Sequence, residues 1–478
     1  MMLDSLRTLA QEQGQQTAID DGQSSLTFAE LFELVGRWAD RLKSGAVVVG
    51  VLPGGPALTA LGLACLSAKA VFVPLPKKAT VRELRRFFAL TQPDLIATAA
   101  DRSNDIKRAL GDRTVPCVVP RLDNPAFDAP GAPQAPLPDD VAMVQFTSGS
   151  TGAPKGLLLT EAGIAAGIQQ NQAFLERWRG CAIFSPMPQF HAMGGAVALE
   201  HLLFGTSVLV TNKFVPGDDR KRIEAADVRA LVASPSYARM LLRLGMFKKL
   251  TSVRAIGLGS AASEPALLSS LRKARADLSF HLRYGLSESF GSLTRLDVEV
   301  DAPLPPAGLV GPALEGVKLA PLPSDPQTPD EIRASSAANA AAQLTGPGQW
   351  TPLADKDGYL ATGDFGFLQP DGLHLSGRKS QFIKRNGHRI DPSEIEQVLV
   401  AHPEINEAAV VGLPDPIAGT KIVAMAEGEV DTGTLDAFCR DALSDHKVPQ
   451  RFVRVDEIPK TASGKPDRQQ VKAELLEE

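Results

Sequence analysis

The sequence has few cysteines, and no two of them lie at a spacing typical of metal binding or redox chemistry. Among 478 residues the four cysteines are Cys65, Cys117, Cys181 and Cys439. Because no Cys-x-x-Cys pair occurs, neither a zinc site nor a disulfide framework is predicted. A reducing compartment, and therefore a cytoplasmic location, is expected.

The sequence also lacks an excess of positive charge. It carries 50 Lys and Arg against 55 Asp and Glu, a formal net charge of -5. Proteins that bind nucleic acid or anionic membranes usually carry a basic surplus. No nucleic-acid partner is expected, and small-molecule chemistry is favoured.

No segment reads as a secretory signal or a membrane span. Residues 1–5 lack the basic region and following apolar stretch that are typical of a signal peptide. The most apolar window, residues 57–75, is interrupted by Lys69 and ends at Pro74, short of the length a bilayer requires. A helix followed by a strand is predicted there.

The most informative segment is made of small, hydroxyl-bearing and cationic residues. It reads Thr147, Ser148, Gly149, Ser150, Thr151, Gly152, Ala153, Pro154, Lys155. Hydroxyls, free backbone N–H groups and a lysine all bind phosphate oxygens, and glycine lets the backbone approach a ligand closely. The segment is predicted to hold a nucleotide, although composition alone also suits a solvated turn.

This segment is not a Walker A loop, which needs Gly-Lys-Ser/Thr at the start of a helix. Here Lys155 follows proline and precedes glycine. Residues 141–146 and 157–159 are strand candidates, and a helix can begin only after Thr160. We therefore expect the loop to join two strands, which disfavours a P-loop NTPase.

The remaining pattern favours an α/β protein of two or more domains, since 478 residues exceed one core. Thr27 and Glu30 form a capping-box pattern ahead of an amphipathic helix. Loops are expected at 321–330 and 121–140, whereas the alanine-rich run 334–344 suits helix or loop. Further strand candidates alternate with helical stretches, at 46–51, 71–75, 208–210 and 255–258.

A smaller C-terminal region, with helix and strand signals of its own, begins after Arg378. Asp391, Pro392 and Glu394 place a cap, a first-turn proline and a third-position carboxylate before an apolar helical pattern. Residues 408–412 then read as a strand. A small second domain is predicted.

With these segments in view, the chain resembles the adenylate-forming superfamily of acyl-CoA synthetases, aryl-CoA ligases, luciferases and nonribosomal adenylation domains. The phosphate loop has the family form, and further family segments follow in order at 284–288, 308–316, 359–366, 377–378 and 459–468. The resemblance implies an α/β fold with a large multi-layer N-terminal domain, residues 1–378. A hinge at 379–380 and a small mobile α+β C-terminal domain, residues 381–478, would follow.

The resemblance also implies a reaction. ATP and Mg²⁺ would convert a small carboxylic acid into an acyl-adenylate with release of pyrophosphate, and a thiol would then form a thioester. CoA is the favoured acceptor, and the phosphopantetheine of a separate acyl carrier protein is the alternative. A catalytically silent nucleotide- or acyl-binding relative is the rival from another class.

By resemblance, four residues of one segment contact the nucleotide and its metal. Tyr284 would stack on adenine beside Gly285, Ser287 would contact phosphate, and Glu288 would hold Mg²⁺. An aromatic face suits a base, and a carboxylate suits a hard cation. Without the motif, Tyr284 would be assigned to the core and Glu288 to the surface.

Three further residues complete the implied nucleotide site. Asp364 resembles the aspartate that accepts hydrogen bonds from both ribose hydroxyls, and Arg378 the arginine that donates to the same sugar. Lys465 resembles the lysine that bridges the carboxylate and the α-phosphate during adenylation, where a compact cation suits developing charge. The alternatives are a β-turn at Asp364, a surface charge at Arg378 and a flexible terminal lysine at Lys465.

For the acid, residues 188–191 resemble the Pro-x-Phe-His segment of acyl- and aryl-CoA ligases, and His191 is a candidate catalytic gate at the pocket mouth. Outside that context a core histidine would be favoured. Ser380 falls at the hinge position and Gly387 in the loop that lines the thiol tunnel. The implied walls of the acid pocket are Met193, Tyr237, Gly259, Ala261 and Ala262.

Overall fold

The computed structural model describes residues 2–123, 137–147, 155–261, 263–378, 383–385, 388–415, 419–443, 445, 447–461 and 465–477. Several predicted site residues lie outside these ranges: Ser148, Gly149, Ser150, Thr151, Gly152, Ala262, Ser380 and Gly387.

Helices occur in both the N-terminal and the C-terminal parts of the chain. They are α1 (Met2–Glu12), α2 (Phe28–Ala39), α3 (Pro56–Ala68), α4 (Val81–Thr91), α5 (Ser103–Leu110), α6 (Glu161–Gln170), α7 (Gln172–Leu175), α8 (Ala192–Leu203), α9 (Pro216–Ala225), α10 (Pro235–Arg243), α11 (Pro265–Ala274), α12 (Pro392–Ala401), α13 (Thr432–Ala442) and α14 (Arg468–Glu477). Short 3₁₀ turns lie at Ala100–Arg102 and Glu176–Trp178.

The strands are mostly short and follow the helices in alternation through the first half of the chain. They are β1 (Thr17–Asp20), β2 (Ser25–Thr27), β3 (Val47–Val51), β4 (Val71–Pro74), β5 (Leu95–Thr98), β6 (Cys117–Val118), β7 (Val141–Thr147), β8 (Lys155–Thr160), β9 (Ala182–Ser185), β10 (Ser207–Val210), β11 (Val228–Ala233), β12 (Ala255–Leu258), β13 (Ser279–Tyr284), β14 (Thr294–Val298), β15 (Leu309–Gly311), β16 (Lys318–Leu319), β17 (Asp330–Ser335), β18 (Ala342–Gly346), β19 (Gln349–Pro352), β20 (Leu360–Gln369), β21 (Gly372–Arg378), β22 (Ile383–Arg385), β23 (His388–Ile390), β24 (Ile405–Asp415), β25 (Gly419–Gly428) and β26 (Arg451–Val455).

Two eight-stranded sheets form the large domain. Their strand orders are β14-β13-β12-β11-β9-β10-β1-β2 and β19-β18-β8-β7-β4-β3-β5-β6. Their inner strands are largely parallel, and β3, β9 and β12 are fully buried, as expected when helices cover both faces. Helices α3 and α8 are apolar on most sides because they lie in the buried cluster that includes residues of both sheets.

A third sheet of the large domain and a separate small domain complete the fold. The third sheet has the order β15-β21-β20-β17-β16. The small domain contains the β22-β23 hairpin and the β24-β25-β26 sheet, and α12, α13 and α14 contribute to its own buried clusters. The predicted α/β class and the pairing of a large with a smaller domain are confirmed.

The helix-start signals in the sequence correspond to real caps. The Thr27 hydroxyl accepts from the Glu30 backbone N–H at 3.2 Å, and the Glu30 carboxylate accepts from the Thr27 N–H at 2.8 Å. Asp391 caps α12 by accepting from the Ser393 N–H at 2.9 Å. Glu394 does not close that cap, because it accepts from the Lys447 ammonium at 2.7 Å instead.

The alanine-rich run 334–344, where helix or loop was expected, is a loop at residues 336–341 with strand at both ends. Its ends belong to β17 and β18, and β18 pairs with both β8 and β19. Pairing buries Ala342 and Leu344, and that tertiary contact overrides alanine's helix preference. In the described part of the chain, no helix combines the length and apolarity needed to cross a membrane.

A buried ion pair between Glu200 and Arg283 connects α8 with β13. One terminal nitrogen of Arg283 donates to both carboxylate oxygens of Glu200, at 3.0 and 2.9 Å, and its Nε donates to the Ser292 hydroxyl at 2.7 Å. Glu200 is completely buried. Burial raises the pKa of Glu200, and the Arg283 charge opposes that rise.

We predict that Glu200→Ala lowers the free energy of unfolding of the large domain by about 3 to 5 kcal/mol, because it leaves the Arg283 charge buried without its partner. Denaturant titration measures this change. Glu224→Ala is the matched control, since Glu224 forms an exposed ion pair with Arg220 within one helix and should cost about 1 kcal/mol or less. Equal losses in the two variants would contradict the prediction.

Candidate active site

The predicted phosphate loop joins two antiparallel strands, as the sequence indicated. In the ladder between β7 and β8, Thr147 is paired with Lys155. Thr160 then caps α6 by accepting from the Gly163 N–H at 2.9 Å. The helix therefore begins one strand later than in a P-loop, because β8 lies between the phosphate segment and α6.

The segment after β13 is held in place by backbone hydrogen bonds to a neighbouring loop. The Glu288 carbonyl accepts from the Ala340 N–H at 2.8 Å, and the Phe290 N–H donates to the Ala338 carbonyl at 2.9 Å. At Gly285 an added Cβ would lie 2.5 Å from the Gly291 carbonyl oxygen, so the chain can pass there only without a side chain. Both Ser287 and Glu288 are left half-buried.

Asp364 is the meeting point of β13, β20 and β21. Its carboxylate accepts from the Tyr284 hydroxyl at 2.9 Å and lies 3.4 Å from Nε of Arg378, which is its partner in the β20–β21 ladder. Burial raises the pKa of Asp364, while Arg378 and the Tyr284 hydrogen bond oppose that rise. Gly363, the residue before Asp364, has φ of 72°. Glycine adopts this left-handed conformation without strain.

Lys465 reaches this cluster from the small domain. Lys465 is exposed on its surface, and partial removal of its ammonium group from solvent lowers its pKa to about 8. The Arg378 charge contributes to the lowering, whereas Asp364 opposes it. The Lys465 charge in turn lowers the pKa of Asp364, and the Glu288 charge raises it. Side chains from distant parts of the sequence therefore influence one another's charge in this cluster.

On the acid side, the structure brings together some of the predicted wall residues. His191 precedes the first turn of α8, and its ring centroid lies 4.5 Å from that of Phe190. An added Cβ at Gly259 would lie 3.1 Å from Cε of Met193, so these two residues are adjacent.

The other two described wall candidates are Tyr237 and Ala261. Tyr237 lies in the first turn of α10, with its ring 5.2 Å from Phe214 and edge-on to it, and burial raises the pKa of its hydroxyl. Ala261 is exposed. The Met193–Gly259 contact is thus the best-defined part of the predicted acid wall.

Two glutamines that the motif reading did not assign connect the phosphate and acid sides. The Gln145 side chain on β7 donates to the Phe190 carbonyl at 2.7 Å. Gln189 accepts from the Gly55 N–H at 2.5 Å and donates to the Thr59 hydroxyl at 3.0 Å. A polar residue inside an apolar strand was the available signal at Gln145, but its partner lies 45 residues away.

Family and sequence comparisons agree with this geometry. Residues 6–329 match the family described as AMP-binding enzyme, and residues 394–465 match the AMP-binding enzyme C-terminal domain. A feruloyl-CoA synthase from Amycolatopsis sp is 30% identical over 94% of this chain and 94% of that protein. A 2-succinylbenzoate–CoA ligase from Geobacillus kaustophilus is 29% identical over 95% and 94%, respectively.

A solved structure of an amide bond synthetase from Marinactinospora thermotolerans has the same fold. It superposes with a TM-score of 0.83 at 25% identity, covering 99% of this chain and 100% of that one. The likeness therefore extends over both domains.

Proposed function

The chain belongs to the AMP-binding enzyme family, and we propose that its cleft joins a small carboxylic acid to CoA through an acyl-adenylate. In the first step a carboxylate oxygen bonds to the α-phosphorus of ATP and pyrophosphate leaves. In the second step the thiol sulfur bonds to the acyl carbon, and AMP leaves with the electrons of the broken C–O bond. The observation that carries the proposal is the Asp364–Arg378 ion pair, on whose carboxylate the charge of Lys465 from the small domain also acts.

The nucleotide contacts follow from the chemistry of that cluster. The Asp364 carboxylate supplies acceptors for the two ribose hydroxyls, and Arg378 supplies donors on the same side. Tyr284, fixed through its hydroxyl to Asp364, presents an aromatic ring for adenine. Thr147 and Lys155 at the hairpin ends place a hydroxyl and a cation where the phosphates would lie.

Glu288 fits the role of the Mg²⁺ ligand in this scheme. Its backbone is fixed by Ala340, and its half-buried carboxylate acts electrostatically on Asp364. Protein sites commonly bind Mg²⁺ through one or two carboxylates together with substrate phosphates. When bound there, the ion would neutralise phosphate charge; Ser287 beside it supplies a further phosphate donor.

Lys465 is the group that we assign to catalysis of adenylation. Two anions must approach each other in this step, and a compact ammonium between the carboxylate and the α-phosphate offsets their repulsion. His191, at the start of α8, is placed to gate the acid pocket formed in part by Met193 and Gly259. The proposed Ser380 hinge and Gly387 tunnel would serve the later thioester step.

The identity of the acceptor distinguishes the remaining functional alternatives, which are ligation to CoA, ligation to a carrier protein or an amine, and silent nucleotide binding. CoA is proposed because the similar proteins include a feruloyl-CoA synthase and a 2-succinylbenzoate–CoA ligase. A separate acyl carrier protein carries the same phosphopantetheine thiol and is the second acceptor. The amide bond synthetase shares the fold, so an amine belongs in the same acceptor panel. A silent nucleotide binder would use none of them.

We predict that Lys465→Ala reduces acid-dependent pyrophosphate release by about 100-fold or more, because one transition-state cation is lost. A panel of aromatic and aliphatic acids, including ferulic acid and 2-succinylbenzoate, identifies the substrate in the wild-type protein.

Lys472→Ala, an exposed lysine of α14, is the control. Thioester formation from a synthetic acyl-adenylate and CoA should survive in Lys465→Ala. A panel that gives no pyrophosphate with the wild type would favour the silent binder.

The pH dependence gives an independent prediction. The Lys465 pKa of about 8 in the free protein means that its ammonium form is lost as pH rises through that value. The kcat/KM for ATP in adenylation should therefore fall above pH 8, since this quantity reports the free enzyme. Lys465→Arg keeps its charge and should remove the fall, whatever its absolute rate. An unchanged profile in that variant would exclude Lys465 as the titrating group.

A further inference from the structure

One helix of the large domain makes a direct polar contact with the small domain. Arg243 is the last residue of α10, and one of its terminal nitrogens donates to the Ile405 carbonyl at 2.9 Å. Ile405 is buried and begins β24 of the small domain. The two residues are 162 positions apart in the sequence. A charged donor therefore reaches across the domain boundary to a backbone acceptor.

A second arginine lies one helical turn earlier on the same face of α10. Residues four apart in a helix are neighbours, so Arg239 lies beside Arg243. Arg239 forms an ion pair with Glu264, the residue that precedes α11, and both side chains are less than a fifth exposed. This pair connects α10 with the start of α11 within the large domain and fixes the position of the Arg239 side chain.

The small domain offers a complementary negative charge at this point. Glu407 of β24 lies directly opposite Glu427 of β25 in the sheet register. Like charges in such facing positions are destabilising unless cations compensate. Burial raises the pKa of Glu407, and the largest influences opposing that rise are the charges of Arg239 and then Lys460. One compensating cation thus comes from each domain.

The same edge of the small domain supports Lys465. The Glu427 carboxylate accepts from the Ile458 N–H at 3.2 Å, at the start of the segment that leads to Lys465. The Asp467 N–H donates to the Pro459 carbonyl at 2.7 Å, and the Thr461 N–H donates to the Lys465 carbonyl at 2.8 Å. The described chain on either side of Lys465 is therefore attached to β25, the strand that pairs with β24 at Glu407.

We propose that Arg239 and Arg243 of α10, with Ile405 and Glu407 of β24, form an interdomain latch that holds the small domain where Lys465 enters the adenylation site. The α10 latch, defined by these four residues, rests on the proposed function, because it positions the group assigned to the first half-reaction. Its residues are positioning residues, since they act on the reaction through Lys465. Weakening the latch impairs adenylation and leaves the step that follows it unaffected.

The test is the double variant Arg239→Gln/Arg243→Gln, measured in two separate half-reactions. Acid-dependent pyrophosphate release should fall by about tenfold, the order expected for losing charge-assisted hydrogen bonds. Thioester formation from a synthetic acyl-adenylate and CoA should stay within about twofold of wild type. Arg220→Gln, which removes an arginine paired within α9, is the matched control and should change neither rate.

Two additional measurements keep the test decisive. Glu407→Gln alters the small-domain side alone and should lower pyrophosphate release in the same selective way, even if the double variant folds poorly. Small-angle scattering of the double variant with ATP should give a larger radius of gyration than wild type, and this readout needs no acid substrate. Equal loss in both half-reactions, or an unchanged radius with unchanged adenylation, would overturn the latch. Unimpaired adenylation in Lys465→Ala would instead overturn the proposed function.

Discussion

The carboxylate of Asp364 is the group on which the arrangement of the cleft depends. A buried carboxylate is costly unless donors and cations surround it, and here they come from separate parts of the chain. Tyr284 ends β13, Arg378 ends β21, and Lys465 belongs to the small domain. Because Tyr284 and Arg378 end different strands of the large domain, the Asp364 carboxylate has its polar partners once β13 and β21 are in place. Lys465 of the small domain adds a further favourable charge.

Behind this cluster, buried polar contacts fix the strand ends that carry it. Arg283 immediately precedes Tyr284, and its guanidinium is held by Glu200 on α8 and by Ser292 at the far end of the same loop. Gln145 similarly joins β7, which leads into the phosphate hairpin, to the backbone beside His191. Satisfied networks of this kind restrict a core to one arrangement. They keep the nucleotide side and the acid side in register with each other.

The sequence allowed prediction of features that depend on neighbouring residues or on a recognised motif. Local signals predicted the helix caps at Thr27 and Asp391, the strands around the phosphate segment and the pairing of a large with a smaller domain. The strand at Ala342–Gly346 was not predicted, since it forms by pairing with β8 and β19, which the local sequence does not show. The Glu200–Arg283 pair has no local signal, because its members are 83 residues apart and single charged residues usually lie on the surface.

The way in which the two domains meet suits the proposed delivery and later withdrawal of Lys465. Each buried apolar cluster of the described residues lies wholly within one domain, and those of the small domain contain residues from Ile383 onward. The contacts found across the boundary are polar, such as Arg243 with the Ile405 carbonyl. Partly exposed polar contacts contribute little free energy each, whereas a large apolar interface would hold the domains together. A site that must present a cation in one step and make room for a thiol in the next is better served by the weaker kind of contact.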